Sequence, residues 1–460
     1  MQELTRDVAI VGAGATGLSA ARALTRAGHT VAVLEARDRV GGRTWTDTVE
    51  GARLEIGGQW VSPDQTALIA LIDELGLELF SRYRDGDTVY VSPDGGTTRL
   101  TGDETPAAPA TATETERLVA LLDDLAAEVD PAAPWAHPRA AELDSVSFSQ
   151  WLIQQSEDPD ARDAVALWIA GGMLTKPAHS FSALQAALMA ASTGAFRHIV
   201  DEDFLLDRRI ITGMQSVSEA MAAELPEDVV LSCPVREIHW DESGVTVVGQ
   251  EATVRARRVI VAVPPNLYSR IGYIPPLPRR KHQAHQHQSM GLVIKVHAVY
   301  DTPFWRAEGL SGTCFNPAGL VQEVYDNTNH GDERGTLVGF VPDEKADTLF
   351  ALGADERRSK ILASIADALG PAALNPTVYY ESDWGSEEWT RGAYAASYDL
   401  GGLHRYGPDQ NEPVGPLYFA SSDIAGPGYQ HVDGAVRIGT ATAERIAASL
   451  AEEPAAGRIR

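Results

Sequence analysis

Asp7 to Glu35, DVAIVGAGATGLSAARALTRAGHTVAVLE, reads as strand, tight turn, helix, strand. Val8 to Val11 form a short apolar strand, and Gly12, Gly14 and Gly17 follow it at the G-x-G-x-x-G spacing of a dinucleotide fingerprint. Gly12 permits the tight turn, Gly14 lets backbone approach a pyrophosphate, and Gly17 lets the helix pack closely on its strand. The helix N-terminus then faces the phosphates. Gly28 falls at a helix C-cap, and Val31 to Leu34 make a second buried strand ending at Glu35, whose carboxylate can accept from ribose hydroxyls. The stretch therefore predicts an adenine dinucleotide in a Rossmann-like α/β domain, with NAD and FAD both open at this point.

The 460 residues exceed one ordinary core, so two domains are expected. With 38 Lys plus Arg against 64 Asp plus Glu, the formal charge of -26 argues against a nucleic-acid surface and weakly favours cationic small molecules. Cys233 and Cys314 are the only cysteines, too few for a disulfide framework or a sulfur-rich metal site, which fits a reducing compartment. The fingerprint begins so early that no signal peptide is expected before it, and no apolar run approaches a membrane span. A cytoplasmic protein without membrane contact is the expectation.

Directly after Glu35 come ARDRVGGRTWT and LEIGGQWV, two glycine pairs flanked by arginines. A nicotinamide enzyme would continue into regular βα units, whereas these segments suggest a long cofactor lying against further backbone and cations. Here the chain resembles the flavin-containing amine oxidases, which carry E-A-R-x-R-x-G-G-R followed by G-G-x-W. The resemblance implies FAD, with Arg37, Gly42 and Arg43 at its pyrophosphate and Gly57, Gly58, Gln59 and Trp60 near the isoalloxazine. It also implies that the backbone of Val235 touches the adenine.

Between these motifs, residues 64–78 are predicted helical and Thr88 to Val91 and Thr97 to Leu100 a strand pair. TPAAPATATETE, Thr105 to Glu116, reads as a biased surface loop, followed by a helical stripe over Leu118 to Val129 and more helices over 146–193. From Ile210 the pattern returns to a glycine turn, a helix and alternating strands. KHQAHQHQ brings together His282, His285 and His287, but without acids or cysteines it reads as a polar crossover helix, and no metal is expected.

Lys295 interrupts an apolar strand, MGLVIKVHAVY, sharing a face with Val293 and His297, where an ammonium is costly without partners. The resemblance gives this lysine the task of holding a water against flavin N5. In LVQEVYDNTN, Glu323 shares a face with Val321 and Tyr325. Within the family the chain looks most like the bacterial putrescine-oxidising branch, which makes this acid the acceptor of a diamine's distal ammonium, with Asp326 and Glu202 as rivals. Trp384, Gly392 and Tyr394 match a W…G-x-Y pattern that makes Tyr394 one wall of an aromatic cage. Some relatives attach the flavin through a cysteine at the position of Ala393, so FAD here should be noncovalent. Asp423 would orient a ribityl or pyrophosphate group. Val432 would bring a helix start to flavin N1 and O2, and His431 would form the second wall, with Tyr429 as the alternative.

The expected fold is α/β: a Rossmann-like FAD-binding domain of the glutathione-reductase type over residues 1–78, 208–288 and 390–460, with an α+β substrate domain over 79–207 and 289–389. The implied reaction is oxidative deamination of a primary aliphatic diamine, putrescine first, by O2 in a homodimer. Another flavin oxidase, of a longer polyamine, monoamine or amino acid, and a noncatalytic FAD-binding protein are the alternatives.

Overall fold

The computed structural model describes residues 2–92, 94–101 and 107–452. The apolar run that opens the chain becomes the strand Gln2–Val11, and its neighbours in space come from far along the sequence. It pairs in parallel with Val31–Leu34 on one side and with Ala252–Val261 on the other. Ala252–Val261 is long enough to pair first with Gly244–Gly249, antiparallel, and then with Leu417–Phe419, parallel. Val235–Asp241 and Gly272–Ile274 complete a seven-stranded sheet. The helix Ala15–Arg26 packs on this sheet and against the last helix, Val432–Glu452. Small residues make that approach possible: a Cβ at Gly439 would stand 2.4 Å from the Thr16 carbonyl oxygen.

A second seven-stranded sheet runs in the order Val378–Glu381, Val293–Tyr300, Gly335–Pro342, Glu323–Asp326, Leu310–Phe315, Asp87–Val91, Thr97–Leu100. Alternation along Val293–Tyr300 sends Ile294, Val296, Ala298 and Tyr300 toward the helix Ala354–Leu369, while Val293, Lys295, His297 and Val299 face the other way, toward Leu54 and Ile56. Lys295 therefore lies on an interior strand, between Gly335–Pro342 and Val378–Glu381, and not on an edge. Helices between 109 and 205 form a separate apolar cluster around Phe148, Trp151, Phe181 and Phe196.

Two expectations need correcting. The segment read as a loop is helical from Pro109, within Pro109–Glu128, while its first residues, Thr105 and Pro106, lie outside the described residues. Proline is tolerated in a first helical turn and alanine is the best helix former, so a bias toward Ala, Thr and Pro did not exclude a helix. Period-two alternation was also carried too far back from Glu323. The strand begins at Glu323, and Val321 packs with Val324 in the cluster opposite Tyr325. The polar segment after Pro278 is the helix Arg279–Gln286, as expected, and no cluster of metal-ligating side chains occurs among the described residues. No helix among them is long and apolar enough to cross a membrane.

Candidate active site

A single long cavity begins where four parallel strands end. Val11, Leu34, Ala262 and Ser421 stand at or just beyond their carboxyl ends and line it, the place where open α/β sheets bind ligands. Two glycine turns face each other there, bridged between Gly14 and Gly41. Gly12 has φ +104°, and a Cβ on it would meet the Ala262 carbonyl oxygen at 2.7 Å. Gly17 does not line the cavity. Its role is contact, since a Cβ there would lie 2.0 Å from the Gly12 carbonyl oxygen.

Glu35 is buried, and its carboxylate accepts from the backbone N–H groups of Ala13 (2.7 Å) and Arg37 (2.9 Å). It ties the first glycine turn to the start of the arginine segment while still lining the cavity beside Val235, the first residue of its strand. Arg37 donates to Thr390 Oγ1 (2.7 Å). Arg43 donates to the Tyr394 carbonyl (3.2 Å), to Ser422 Oγ (3.2 Å) and to both oxygens of Asp423 (2.9 and 2.5 Å).

Asp423 departs from its expected place. It is fully enclosed and outside the cavity lining, with its oxygens taken by Arg43, Ala396 N (2.5 Å) and Ser421 Oγ (2.5 Å). Burial pushes its carboxyl up, but the Arg43 ion pair and these donors outweigh that and hold it below the usual carboxylate range. It reaches the cavity only through Arg43. Gly42, Gly57, Gly58, Gln59, Trp60, Trp384 and Val432 do line it.

The residues present fit FAD. Two buried N–H groups on lining side chains, Arg37 Nε and Trp60 Nε1, have no partner among the described residues. A Cβ on Gly58 would meet nothing within 4 Å, so the cavity there is walled by bare backbone. Gly14, the N-cap of Ala15–Arg26, brings no capping side chain, which leaves the helix's positive end to a ligand.

Beyond this cradle the cavity turns apolar. Lys295 Nζ donates to the carbonyls of Glu55 (2.6 Å) and Gly57 (2.8 Å) and to Gln59 Oε1 (2.6 Å). Gln59 is itself held by Asn327, donating to its Oδ1 at 2.6 Å. Three acceptors match the three hydrogens of an ammonium, whereas burial pushes Lys295 down, to about 7, with Glu55 opposing. Every donor hydrogen is thus committed within the protein.

Tyr394 crosses Phe340 edge-on, ring centroids 6.2 Å apart, and Phe340 stands directly opposite Lys295 in strand register. The Tyr394 phenol is driven well above its usual range by burial and by Glu323, so it stays protonated. His431 lines the cavity with its Nδ1 2.9 Å from the Tyr429 carbonyl, which makes Nδ1 the donor. Tyr429 does not line it; its ring is buried in the helical cluster and its hydroxyl bonds Gln185 and Gln430.

Glu323 lies in the same apolar region. Tyr325 donates to its Oε2 (3.1 Å), while Oε1 has no donor among the described residues. Burial pushes this carboxyl up to about 7, and nearby Glu202 pushes in the same direction. Glu202 also lines the cavity, half-buried at the start of the short helix Glu202–Leu205, and burial raises its carboxyl. Asp326, the other rival, is sequestered outside the cavity by Trp305 Nε1 (2.9 Å) and Arg306 (2.8 Å). Sequence reading missed Trp168, Gly172, Met173, Phe340 and Thr390, which join the wall through tertiary register and carry no motif of their own.

Comparison with known proteins places the chain among relatives of one family. The family described as flavin containing amine oxidoreductase matches residues 15–447. A putrescine oxidase of Kocuria rosea is 64% identical over 455 residues, 96% of this chain and 95% of that protein. A solved putrescine oxidase structure with putrescine bound superposes with a TM-score of 0.96 at 68% identity, covering 97% of this chain and all of that one. The cyclohexylamine oxidase of Brevibacterium oxydans IH-35A follows at 32% identity and TM-score 0.92, covering 97% of this chain and 100% of that one.

Proposed function

The chain belongs to the flavin containing amine oxidoreductases, and from that premise we propose that it is an FAD-dependent oxidase of short aliphatic diamines, converting putrescine, O2 and H2O to 4-aminobutanal, NH3 and H2O2. FAD, when bound, supplies the hydride acceptor and the route of electrons to O2. The observation that carries the substrate assignment is Glu323: a carboxylate in an apolar pocket with one oxygen uncommitted. Such a group gains most from an ammonium, because charge-assisted hydrogen bonds are strong where water is scarce.

In this reading the residues divide the work along the cavity. Gly12, Gly14, Glu35, Arg37, Gly42, Arg43 and Val235 hold the ADP half of the cofactor, with Asp423 fixing Arg43 from behind. Gly57, Gly58, Gln59, Trp60, Trp384 and Val432 hold the flavin half, noncovalently because Ala393 offers no sulfur. Tyr394 and His431 flank the reacting amine and present its α-carbon. His431, with Nδ1–H spent on the Tyr429 carbonyl, offers Nε2 as an acceptor toward an amine N–H. Glu323 draws the far ammonium outward and thereby fixes which carbon lies between the rings. Lys295, if it orders a water, does so by exchanging one of its three protein acceptors for it. An amino acid is a poorer fit, because the charges at this end of the wall are the carboxylates Glu202 and Glu323.

The same proposal places the FAD-binding domain over 1–78, 208–288 and 390–460 and the substrate domain over 79–207 and 289–389. This agrees with the division of strands between the two large sheets. A cytoplasmic homodimer degrading polyamines completes it on the strength of the family, light scattering being the check on the dimer.

The test is anaerobic flavin bleaching and aerobic H2O2 release with putrescine and butylamine. Putrescine is expected to bleach the flavin and to exceed butylamine in kcat/KM. Glu323→Gln should lower kcat/KM for putrescine about 10- to 150-fold, the worth of one charged hydrogen bond, and leave butylamine nearly unchanged. Equal rates for the two amines in the unaltered protein would overturn the role of Glu323, and no bleaching by any amine would overturn the oxidase.

A further inference from the structure

Residues Leu167–Leu174, LWIAGGML, are wound as a π-helix. Such a winding is rare and gathers at functional sites. Its two glycines face different ways. A Cβ at Gly171 would meet Leu167 Cδ1 at 3.0 Å and Gln322 Oε1 at 3.6 Å, away from the cavity. Gly172 lines the cavity with Trp168 and Met173, and a Cβ on it would stand 3.6 Å from Glu323 Oε1 and 3.8 Å from the Leu167 carbonyl oxygen.

Neither glycine adopts a left-handed backbone, so neither is required for conformation, and a glycine inside a helix costs stability relative to alanine. At Gly172 the missing side chain leaves a methyl-sized position in ordinary contact with the one oxygen of Glu323 that has no donor (3.6 Å) and with the Leu167 carbonyl oxygen (3.8 Å). An ammonium bound there needs its nitrogen about 2.8 Å from that oxygen and room for the attached methylene.

We infer that Gly172 sets the length of diamine the cavity accepts, by leaving beside the Glu323 carboxylate room for one carbon more than putrescine places there. This rests on the diamine reading above. An alanine methyl would sit at ordinary contact distance from Oε1, so it displaces no protein atom. What it removes is volume at the far end of the pocket. The longer diamine loses its seat first, the shorter one gains contact, and a monoamine without a far ammonium is untouched.

The test compares kcat/KM for propane-1,3-diamine, putrescine, cadaverine and butylamine in the flavin-loaded unaltered protein, Gly172→Ala and Gly171→Ala. Gly172→Ala is expected to lower the cadaverine-to-putrescine ratio about tenfold or more, the scale on which a pocket discriminates one methylene. It should raise the propane-1,3-diamine-to-putrescine ratio and leave butylamine alone. Gly171→Ala, which adds a methyl to the same π-helix facing elsewhere, should move no ratio. Unchanged ratios in Gly172→Ala, an equal loss for all four amines, or the same shift in Gly171→Ala would each overturn the inference.

A measurement on the unaltered protein covers a variant that fails to fold. In 1,4-diaminopentane a methyl sits beside one amine, and with that amine at Glu323 the methyl fills the space a Gly172 side chain would take. Its oxidation at the unbranched end should fall within about tenfold of putrescine, and a larger deficit would overturn the inference. If the unaltered protein does not prefer putrescine to butylamine, the diamine reading fails on its own terms, before any variant is made.

Discussion

Glu323 and Lys295 are opposite solutions to burying a charge. Lys295 meets three acceptors, so each ammonium hydrogen has a dipole partner, although burial still pushes it down to about 7. Glu323 has one phenol and an open oxygen, so burial drives its carboxyl up to about 7. An acid whose folded pKa is raised binds its proton more tightly folded than unfolded. Its contribution to stability is therefore full below the ordinary value of 4.5 and is lost as pH rises through about 7. Thermal denaturation across that window should show the unaltered protein losing stability relative to Glu323→Gln, which cannot ionise. A diamine should reverse the difference by pairing the carboxylate. A melting-temperature difference between the two proteins that does not vary with pH would count against this ionisation. Lys295 was legible in the sequence because a charge inside an apolar strand demands an explanation. The position of Glu323 was legible through its alternation with Tyr325, although Val321 was wrongly included. Phe340 and Gly172 were not, because strand register and the packing of a π-helix join residues far apart in the chain.

Among the elements, the opening strand and helix were read from their glycines, and the structure gives those glycines separate duties. Gly12 turns the chain, Gly14 stands across from Gly41, and Gly17 is contact alone. Gly17→Ala would force a methyl onto a carbonyl oxygen 2.0 Å away, lifting Ala15–Arg26 off its strand. Overpacking of this kind costs about 1–3 kcal/mol, and here it also moves the helix end offered to the phosphates. The purified variant is expected to carry markedly less flavin per protein, read from the absorbance ratio, and to melt earlier. Normal flavin content would show that the helix end is not held by this contact. The helix at Pro109 was misread because composition was allowed to outweigh propensity. The π-helix had no readable signal, since its hydrogen bonding imposes no residue pattern.

Across the whole molecule, the cavity draws its walls from segments scattered between Val11 and Ala435, and both large sheets contribute to it. The family resemblance carried by the motifs in their order implied that assembly, because each motif is local: a glycine turn, an arginine pair, a charge in a strand. The depth of the substrate end was not legible, because helices from one part of the chain close over strands from another. Ala393, which lines the cavity with a methyl group and no sulfur, has a consequence at this scale. A cofactor that is not tethered is held by mass action, so the stability it adds grows with the logarithm of its free concentration, about 2.7 kcal/mol at a hundred times Kd. The melting temperature of flavin-stripped protein should climb steadily as FAD is titrated in, and a flat response would show that the bound cofactor adds nothing to stability. Such a chain is also economical to recycle. A flavin held only by contacts can leave one copy and equip another, so the share of working enzyme follows the free flavin around it.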